Sequence, residues 1–548
     1  MHWIDISLII VFLGVIFGIG AKLYKWIGEP DDFYVSGRNL TPFILAATLT
    51  ATNVNMYSFV GQSGMAYKYG IPIIWHTWTG NMAMVFAGLF VLPILRRLRI
   101  RTIPEYLEMR FSKNVRSLVG FIWTLRLSFW LGVVLYTGVV AAKVITGIDN
   151  THIWVAAFSV VIIIYTMIGG MWAVALIDSL QLVLMIGSGL ILFPMTMHAV
   201  GWWPSFIAKI PPGFMDFVVP DGPFNWVFII VMLLLGVQWA CTDQGLIQRA
   251  FGAKDVRTVA KSLILAGIIT TPFAFFWNIP GIAANILYPS LGNAEDAVPM
   301  LIKNLLPVGV MGLAVCGLFA SQTSTLDANL NASATVFIND IYHSIYKRDA
   351  TPKQILFAVR TATVGLGIFM IVFSYIVPYL GGAVQAYLTV VSIFDMPLFV
   401  IAIIYGLHWK RTNWQGALGG YIAGIIAGII AFIVLHYNFK IATFFSGGAA
   451  LLFCPLVTLF TQEPPADKIN TIWNARKGSK EEELSGDLYS IIPKSSSGRF
   501  VLILSGVGLI VFIIGVLLGH YNSPYDSLLA LLGMALFFLS ALARTYCK

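Results

Sequence analysis

Residues 48–58 read Thr-Leu-Thr-Ala-Thr-Asn-Val-Asn-Met-Tyr-Ser, a polar run inside the apolar segment 41–70. A second polar run, Gln-Trp-Ala-Cys-Thr-Asp-Gln-Gly at residues 238–245, crosses the end of the apolar segment 223–246. Polar groups without partners are costly in hydrocarbon, so both runs need a structural explanation. They lie five apolar segments apart, as inverted five-helix repeats require when each repeat contains an interrupted helix. We therefore predict a central site at two interrupted helices, in preference to simple hydrogen bonding between helices.

The composition supports a membrane setting for these runs. The chain has 548 residues, 58% hydrophobic and 11% charged, whereas ordinary soluble domains are roughly 25% charged. A helix needs about 20 apolar residues to cross a hydrocarbon core about 30 Å thick. The sequence therefore predicts an all-α polytopic membrane protein with about fifteen transmembrane helices, near residues 4-25, 41-70, 72-95, 117-145, 152-169, 173-199, 223-246, 260-288, 304-340, 356-378, 383-407, 415-437, 441-461, 500-520 and 525-545.

The basic residues are distributed unevenly between the two sides of these spans. One set of alternate loops receives dense groups, such as those at 96–116, 249–261 and 347–360, and the other set receives only Lys68, Lys143, Lys209, Lys303 and Lys440. Cytoplasmic loops carry the excess of Lys and Arg, so we expect the amino terminus outside and the carboxyl terminus in the cytoplasm. The membrane would be a plasma or bacterial inner membrane. The net charge of +9 is explained by topology and does not indicate a nucleic-acid partner.

The spans divide the chain into six predicted parts. Residues 1-40 form an extra first transmembrane helix with a cytoplasmic loop. Residues 41-199 and 200-407 form the first and second inverted repeats, which contain spans two to six and seven to eleven. Residues 408-461 add two further transmembrane helices, 462-499 form a polar cytoplasmic linker to which we assign no function, and 500-548 form a terminal transmembrane pair.

The ninth span carries a third polar run, Ser-Gln-Thr-Ser-Thr-Leu-Asp-Ala-Asn-Leu-Asn at residues 321–331. Ser321, Ser324 and Thr325 share one helix face through their i, i+3, i+4 spacing. Hydroxyls and free carbonyls are hard oxygen donors, which suit a sodium ion without a buried fixed charge. Hydroxyls in helices also bond to their own backbone carbonyls. The run by itself leaves both interpretations open.

Six strings of this sequence resemble the sodium/solute symporter family, whose relatives include sodium-coupled glucose, proline and sialic acid transporters. They occur in family order between Phe33 and Ala417: FYVSGRN at 33–39, TIPEYLEMRF at 102–111, YTMIGGMWAV at 165–174, CTDQGLIQR at 241–249, LNASATVFINDIY at 330–342 and HWKRTNWQGA at 408–417. The resemblance implies a leucine-transporter-like fold of two inverted five-helix repeats. It also implies a sodium-coupled symporter that imports a small polar organic solute by alternating access, with Na+ and the solute as its partners in the lipid bilayer.

The resemblance also implies particular ion ligands. The principal sodium site of the family maps onto the backbone carbonyls of Ala51, Val54 and Ser321 and the hydroxyls of Ser324 and Thr325. A second cation position known in some relatives maps onto Asp178, but the hydroxyls that complete it there are replaced here by Asp327 and Ala328. Two buried carboxylates require a bound cation or a shared proton. We expect either a second cation or proton site at Asp178, Ser324 and Asp327, or a local role for Asp327.

The predicted solute pocket departs from that of the sugar-transporting relatives, because most of their carboxylate, amide and lysine groups are missing. What remains is aromatic and rich in hydroxyls, which suits a sugar, a polyol or a sugar acid. The predicted pocket residues are Asn53, Tyr57, Ser58, Trp75, His76, Thr77, Trp78, Asp243, Gln244, Thr270 and Thr389.

Arg126 is the one arginine placed well inside a predicted span. It would either meet an anionic solute or, in the interpretation that we favour, extend to the cytoplasmic edge. A sensor or leak-conducting relative without concentrative transport is the alternative to a symporter. A proton-pumping respiratory subunit is disfavoured because no midplane row of Lys, Glu and His is present. Catalytic motifs of the HExxH, phosphate-loop and nucleophile-elbow types are also absent, so we do not expect an enzyme. The sequence does not fix the oligomeric state.

Overall fold

The computed structural model describes residues 1–23, 34–347, 349–478 and 490–547. Within these ranges the architecture is all-helical, as the composition predicts. One isolated parallel bridge joins Leu40 and Ala253. It links the segment before the second predicted span to the segment after the seventh.

The helices follow the predicted spans closely. Up to residue 200 they are α1 (Trp3–Leu23), α2 (Pro42–Asn53), α3 (Ser63–Tyr69), α4 (Trp75–Phe90), α5 (Leu92–Arg97), α6 (Ile103–Arg110), α7 (Lys113–Thr146) and α8 (Thr151–Val200). The range predicted to be the second repeat contains α9 (Trp202–Lys209), α10 (Trp226–Thr242), α11 (Gln244–Phe251), α12 (Val256–Phe273), α13 (Phe275–Leu287), α14 (Ala297–Leu305), α15 (Val310–Val336), α16 (Pro352–Ile376) and α17 (Ala383–Phe399). The remainder contains α18 (Trp414–Ile429), α19 (Phe439–Leu459), α20 (Ala466–Lys477), α21 (Ser496–Leu518) and α22 (Asp526–Arg544).

Among the described residues, nine helices are long and apolar enough to cross a membrane, and the number rises to eleven when each of two bent pairs counts as one span. The other four predicted spans are also helical. They correspond to α1, α4, the first arm of α8 and α15. The apolar parts of α1 and of the first arm of α8 are short, at Trp3–Ile16 and Thr151–Met167. Helix α4 has 16 residues, and α15 carries the polar run at 321–331.

Both polar runs coincide with breaks between helices. The axis of α2 differs by 45° from that of the helical segment Ser58–Tyr69, which includes α3, and the axes of α10 and α11 differ by 44°. Helix α2 ends because Val54 adopts an extended backbone. Asp243 is also extended, and its carboxylate accepts a hydrogen bond from the Leu246 amide, 3.2 Å away, which caps α11. An aspartate side chain in this position satisfies an amide that lacks a helical partner. The chain therefore contains the two interrupted helices that the sequence predicts.

The helical segment α8 contains two predicted spans, 152–169 and 173–199. Phe158 in its first arm contacts Phe319 of α15, and Leu184 in its second arm lies against Gly317, two residues earlier on α15. In a straight helix Phe158 and Leu184 would lie about 39 Å apart. The chain therefore reverses between them, and the two arms lie side by side.

Helix α15 runs through the centre of the molecule and is almost completely buried. Its amino-terminal end is held by α1, because the Asp5 carboxylate accepts hydrogen bonds from the amides of Gly309 (2.8 Å) and Gly312 (2.9 Å). These are amides at the start of a helix, which have no helical partner of their own. The extra first helix thus anchors the helix that carries the third polar run.

Three arginines assigned to cytoplasmic loops are instead buried. Arg96 donates from Nε to the Ala253 carbonyl (3.0 Å), and Arg110 donates from Nε to the Gly406 carbonyl (2.9 Å). Arg249 is not exposed at all. A guanidinium has five donors, so it can satisfy the free carbonyls of helix ends while its own charge is shielded. These side chains hold helix ends together in addition to any contribution to topology.

The predicted linker 462–499 is partly structured. It contains α20, in which Ile472 is fully buried, and Lys468 Nζ donates to the Glu108 carbonyl over 2.6 Å. Arg97 Nη1 donates to the Ala475 carbonyl over 3.1 Å. Residues 479–489 of the linker lie outside the described residues. The part before them packs against α6 and the end of α5.

Candidate functional site

A cavity lies between the two broken helices. Asn53 and Asn55 border it from the break after α2, and Asp243 and Gly245 border it from the break between α10 and α11. Thr325 of α15 closes one side. The three polar runs of the sequence, far apart in the chain, therefore meet at one place.

Six of the eleven predicted pocket residues line this cavity. They share positions on the inner faces of α2, α4 and the two breaks, and they are Asn53, Tyr57, Ser58, His76, Thr77 and Asp243.

The other five predicted pocket residues lie outside the cavity lining. Trp75 donates to the Phe217 carbonyl (2.6 Å) and Trp78 to the Thr271 carbonyl (2.9 Å). Consecutive helical residues point about 100° apart, so a run of candidates on α4 cannot all face one cavity. Gln244 donates to the Arg101 carbonyl over 2.8 Å, Thr270 donates to a carbonyl of its own helix, and Thr389 is buried within α17.

A polar network crosses one wall of the cavity. Tyr57 Oη and His76 Nε2 lie 3.1 Å apart. Gln62 Oε1 accepts hydrogen bonds from Thr77 Oγ1 (2.8 Å) and Trp277 Nε1 (3.2 Å). The network fixes the direction of the hydroxyl and amide groups toward the cavity. Gln62 was not among the predicted pocket residues, although its spacing of i+4 from Ser58 places it on the same helical face.

An aromatic group forms another wall. The rings of Tyr57, Trp130 and Tyr387 contact one another, with centroids 5.4 Å, 5.5 Å and 4.7 Å apart for the three pairs. Trp130 and Tyr387 come from α7 and α17, and neither was predicted from the sequence. Aromatic faces beside oriented polar groups form a surface that suits a polyhydroxylated solute.

Arg126 does not extend to the cytoplasmic edge, so that prediction is wrong. Its side chain is 2% exposed and forms a bidentate ion pair with Asp395, with Nε 2.8 Å from Oδ1 and Nη2 on Oδ2. Nη1 lies 3.2 Å from Asp243 Oδ2. The guanidinium contacts two carboxylates inside the protein, so its charge is compensated without contact with water. Sequence reasoning missed Asp395, which lies 269 positions further along the chain.

The end of α2, which carries Ala51 and is followed by Val54, contacts α15, which carries Ser321, Ser324 and Thr325. Helix α2 ends at Asn53, so the carbonyls of its last turn, including that of Ala51, lie beyond the regular helical pairing. Thr325 Oγ1 lies 3.3 Å from the Thr52 carbonyl. Ser324 Oγ is buried and faces Asp178, without a hydrogen bond of ordinary geometry in the described part of the chain.

Ser321, whose backbone carbonyl is the expected ligand, uses its own hydroxyl to bond the Leu318 carbonyl over 2.8 Å. Its side chain is therefore occupied within the helix. Val54 follows the last residue of α2 and has the extended conformation that opens the helix end. The end of α2 thus offers free backbone oxygens that the Thr325 hydroxyl reaches directly, while the Ser324 hydroxyl faces Asp178.

Asp178 and Asp327 lie close together in the protein interior, and neither is exposed. Asp178 Oδ2 accepts a hydrogen bond from Thr48 Oγ1 (2.6 Å) and pairs with Arg249 Nη2 (3.2 Å). Arg249 Nε also donates to Thr48 Oγ1 over 3.0 Å. With all three ionised, two carboxylates face one guanidinium. The excess negative charge favours a cation or a proton at this place.

The fold and the cavity together define a membrane transporter of the leucine-transporter-like class, with a central site between two broken helices. The solved structure of a sodium-coupled sialic acid symporter, in a substrate-bound outward-open state, is similar to this chain with a TM-score of 0.75. The two sequences are 20% identical, and the match covers 84% of this chain and 98% of the symporter. Mhp1, a nucleobase-cation-symport-1 family transporter, matches with a TM-score of 0.56 and 15% identity, covering 81% of this chain and 99% of its own.

Residues 33–424 match the model of the sodium:solute symporter family, and the chain belongs to that family. A sodium/glucose cotransporter of Vibrio parahaemolyticus is 27% identical over 464 residues, which cover 77% of this chain and 84% of the relative. An uncharacterized symporter, YidK, of Escherichia coli (strain K12) is 29% identical over 450 residues, which cover 78% of this chain and 77% of the relative. The family consists of transporters rather than enzymes, and sodium is its coupling ion.

Proposed function

We propose that this protein is a sodium-coupled secondary active symporter that imports a small polar organic solute by alternating access, with a sugar, a polyol or a sugar acid as the favoured solute. The observation that carries the proposal is the cavity that reaches both helix breaks and Thr325 at once. Broken helices expose backbone groups to a bound ion and solute at the middle of a membrane. Family membership and the sodium/glucose cotransporter among its relatives support sodium and a sugar-like solute.

The principal sodium ion would bind at the carbonyls of Ala51, Val54 and Ser321 and the hydroxyls of Ser324 and Thr325. The end of α2 beside α15 supports this ligand set. Sodium bound there would hold α2 and α15 together. Because α2 also borders the cavity through Asn53, ion binding would stabilise the arrangement in which the solute pocket is formed. That link is the physical basis of coupling.

A second cation or a proton would bind at Asp178, Ser324 and Asp327. Support comes from the charges of this cluster, in which two buried carboxylates, Asp178 and Asp327, share one buried guanidinium, that of Arg249. The number of ions determines what the transporter can achieve. A tenfold gradient contributes about 1.4 kcal/mol, and 100 mV contributes about 2.3 kcal/mol per charge. One sodium ion then supports roughly 500-fold accumulation of a neutral solute, and two support on the order of 10⁵-fold.

The solute would bind between the aromatic wall and the polar wall of the cavity. Asn53, Tyr57, Ser58, His76, Thr77 and Asp243 remain the candidate contacts from the sequence. The structure adds Gln62, Trp130 and Tyr387 to them.

We further propose that the amino terminus is outside and the carboxyl terminus cytoplasmic, in a plasma or bacterial inner membrane. Arg96, Arg110 and Arg249 are weakened as topology signals by their burial. Exposed basic residues, such as Lys254 and Lys410, remain on the proposed cytoplasmic side. Residues 41-199 and 200-407 would be the two inverted repeats, and 1-40, 408-461 and 500-548 would be additional parts of the chain.

Uptake by the purified protein in proteoliposomes tests the proposal. The panel contains radiolabelled sugars, polyols, sugar acids and amino acids, with an inward sodium gradient or with potassium in its place. The expected result is accumulation above equilibrium that requires the sodium gradient and collapses when an ionophore dissipates it. Equal uptake in potassium would overturn sodium coupling. Sodium-dependent binding without accumulation would favour the sensor, and a sodium current without accumulation would favour the leak-conducting relative.

A further inference from the structure

Arg126 brings a positive charge to the cavity, but that charge is already balanced. Its guanidinium pairs with both oxygens of Asp395 and with one oxygen of Asp243. The face of its guanidinium also packs over the Trp123 ring, with Cζ 5.1 Å from the ring centroid. Two carboxylates thus surround one arginine, and this group of three side chains carries an excess of one negative charge when all are ionised.

The other cation of the cavity lining is also engaged. Arg249 pairs with Asp178 and donates to the Gly245 carbonyl over 2.6 Å. Asp327 is buried close to this pair. Among the described residues that line the cavity, the two arginines, Arg126 and Arg249, therefore both contact buried carboxylates. An incoming carboxylate would have to displace one of these partners and leave it buried without compensation, which is unfavourable.

We infer that the cavity selects against anionic solutes, that it takes uncharged sugars or polyols, and that Asp395 sets this selectivity by neutralising Arg126. The inference rests on the proposed symport function and narrows its solute class by removing sugar acids. Arg126 lines the cavity, and Asp395 pairs with Arg126 without lining the cavity itself. Asp395 lies on α17 and is not exposed, so it affects the solute only through Arg126.

Asp395 is a better test position than Asp243. Asp243 lines the cavity and also caps α11 through the Leu246 amide, so its loss would change the pocket and the helix together. Replacement of Asp395 by Asn keeps the size of the side chain and one oxygen acceptor while it removes the charge. Arg126 would retain Asp243 as its ionic partner, which limits the structural cost.

The experiment uses the full-length protein in proteoliposomes with matched solute pairs, namely glucose with glucuronate and galactose with galacturonate, and glucosamine as a cationic comparison. Sodium-dependent uptake and solute-induced currents are measured for the parent, Asp395→Asn and the charge-preserving Asp395→Glu. We expect the parent to take up an uncharged sugar and to prefer it at least tenfold over its acid. In Asp395→Asn this preference should fall by tenfold or more, whereas Asp395→Glu should retain it.

Several outcomes would overturn the inference. Sodium-dependent uptake of glucuronate or galacturonate by the parent at the level of the neutral sugar would refute it while leaving symport intact. A preference for glucosamine over glucose would refute the uncharged class. An unchanged preference in a folded Asp395→Asn protein, judged by its size-exclusion profile, would refute the role of Asp395. If that variant does not fold, the preference of the parent still decides the solute class. Sodium-independent responses to every solute would refute the proposed function itself.

Discussion

Arg249 and Asp178 form an ion pair in which neither side chain is exposed, with Arg249 Nη2 3.2 Å from Asp178 Oδ2. Arg249 lies in α11, in the predicted second repeat, and Asp178 lies in α8, in the predicted first repeat. Both contact Thr48, which is part of α2, the first half of an interrupted helix. The pair therefore joins the two repeats at the cavity. Its strength matters because Asp327 adds a second carboxylate to the same buried region.

Arg249→Gln should be strongly destabilising, because it leaves Asp178 and Asp327 without a cation. Removal of one partner from a buried pair costs about 3–5 kcal/mol. Asp178→Asn should cost less, since Asp327 can then balance Arg249. Thermal unfolding of the purified protein in detergent measures both effects.

An exposed pair provides the control for that measurement. Arg411 and Glu463 lie 3.3 Å apart with side chains 42% and 75% exposed. Arg411→Gln should therefore change stability by less than about 1 kcal/mol. Equal losses from Arg249→Gln and Asp178→Asn would contradict the assignment of Asp327 to the same charge cluster.

Ser324→Ala and Thr325→Ala should each raise the sodium concentration for half-maximal uptake by at least about tenfold, because a lost ligand to a cation costs about 1.5–3 kcal/mol. Sodium titration of uptake in proteoliposomes measures the change. The control is Ser333→Ala on the same helix, whose buried hydroxyl forms no hydrogen bond of ordinary geometry among the described residues. Sodium activation that is unaltered in both ligand variants would refute this site.

Asp327→Asn should change how uptake depends on pH and on sodium. Removal of one carboxylate balances the charge of Arg249 and Asp178, so the second cation or proton is no longer required. The sodium Hill coefficient should fall toward one if the site binds sodium, or the pH dependence should flatten if it binds a proton. Identical pH and sodium titrations in the variant and the parent would mean that Asp327 has only a local structural role.

Ser58→Ala should weaken solute binding by about five- to tenfold, because the hydroxyl faces the cavity and a hydrogen bond contributes about 1 kcal/mol. Its bonds within the protein are long, at 3.3 Å to Asn55 Oδ1 and 3.5 Å to Gln62 Nε2. Ser63→Ala is the control, since that hydroxyl donates to the Phe59 carbonyl over 2.6 Å. The KM of the solute found in the uptake panel is the measured quantity, and equal KM values for the two variants would place the solute elsewhere.

Asp5→Ala should lower stability by about 1–2 kcal/mol, as expected for a lost helix cap. The carboxylate holds the amides of Gly309 and Gly312 at the start of α15. Chemical or thermal unfolding measures the loss, and Ser7→Ala on the exposed face of α1 is the matched control. If Asp5→Ala has no effect on stability, α1 does not anchor α15.

Much of the fold was predictable from the chain because apolar runs and polar interruptions are local patterns. The runs at 48–58 and 238–245 indicated two broken helices, and both breaks occur at these positions. The limits of the helices followed from the lengths of the apolar runs. The partners of Arg126 were not predictable, since Asp395 is distant in sequence and no local pattern connects them.

The cavity shows the same division. The residues of α2 that line the cavity were predictable from a single polar run. On α4, His76 and Thr77 line the cavity, whereas Trp75 and Trp78 do not. The direction of a side chain depends on the rotation of its helix against its neighbours, which the sequence of that helix does not specify. Trp130 and Tyr387 enter from α7 and α17 for the same reason.

The sequence by itself determined the membrane setting, the helical class, the two interruptions and the family, because each depends on composition or on short ordered motifs. Only the tertiary structure decided which charges meet. The sequence placed Arg249 in a loop, whereas in the structure it is the buried partner of Asp178. Arg126 is the buried partner of Asp395. A charge inside a membrane protein must find its counter-charge in space, and the packing of helices from both repeats determines where that counter-charge lies.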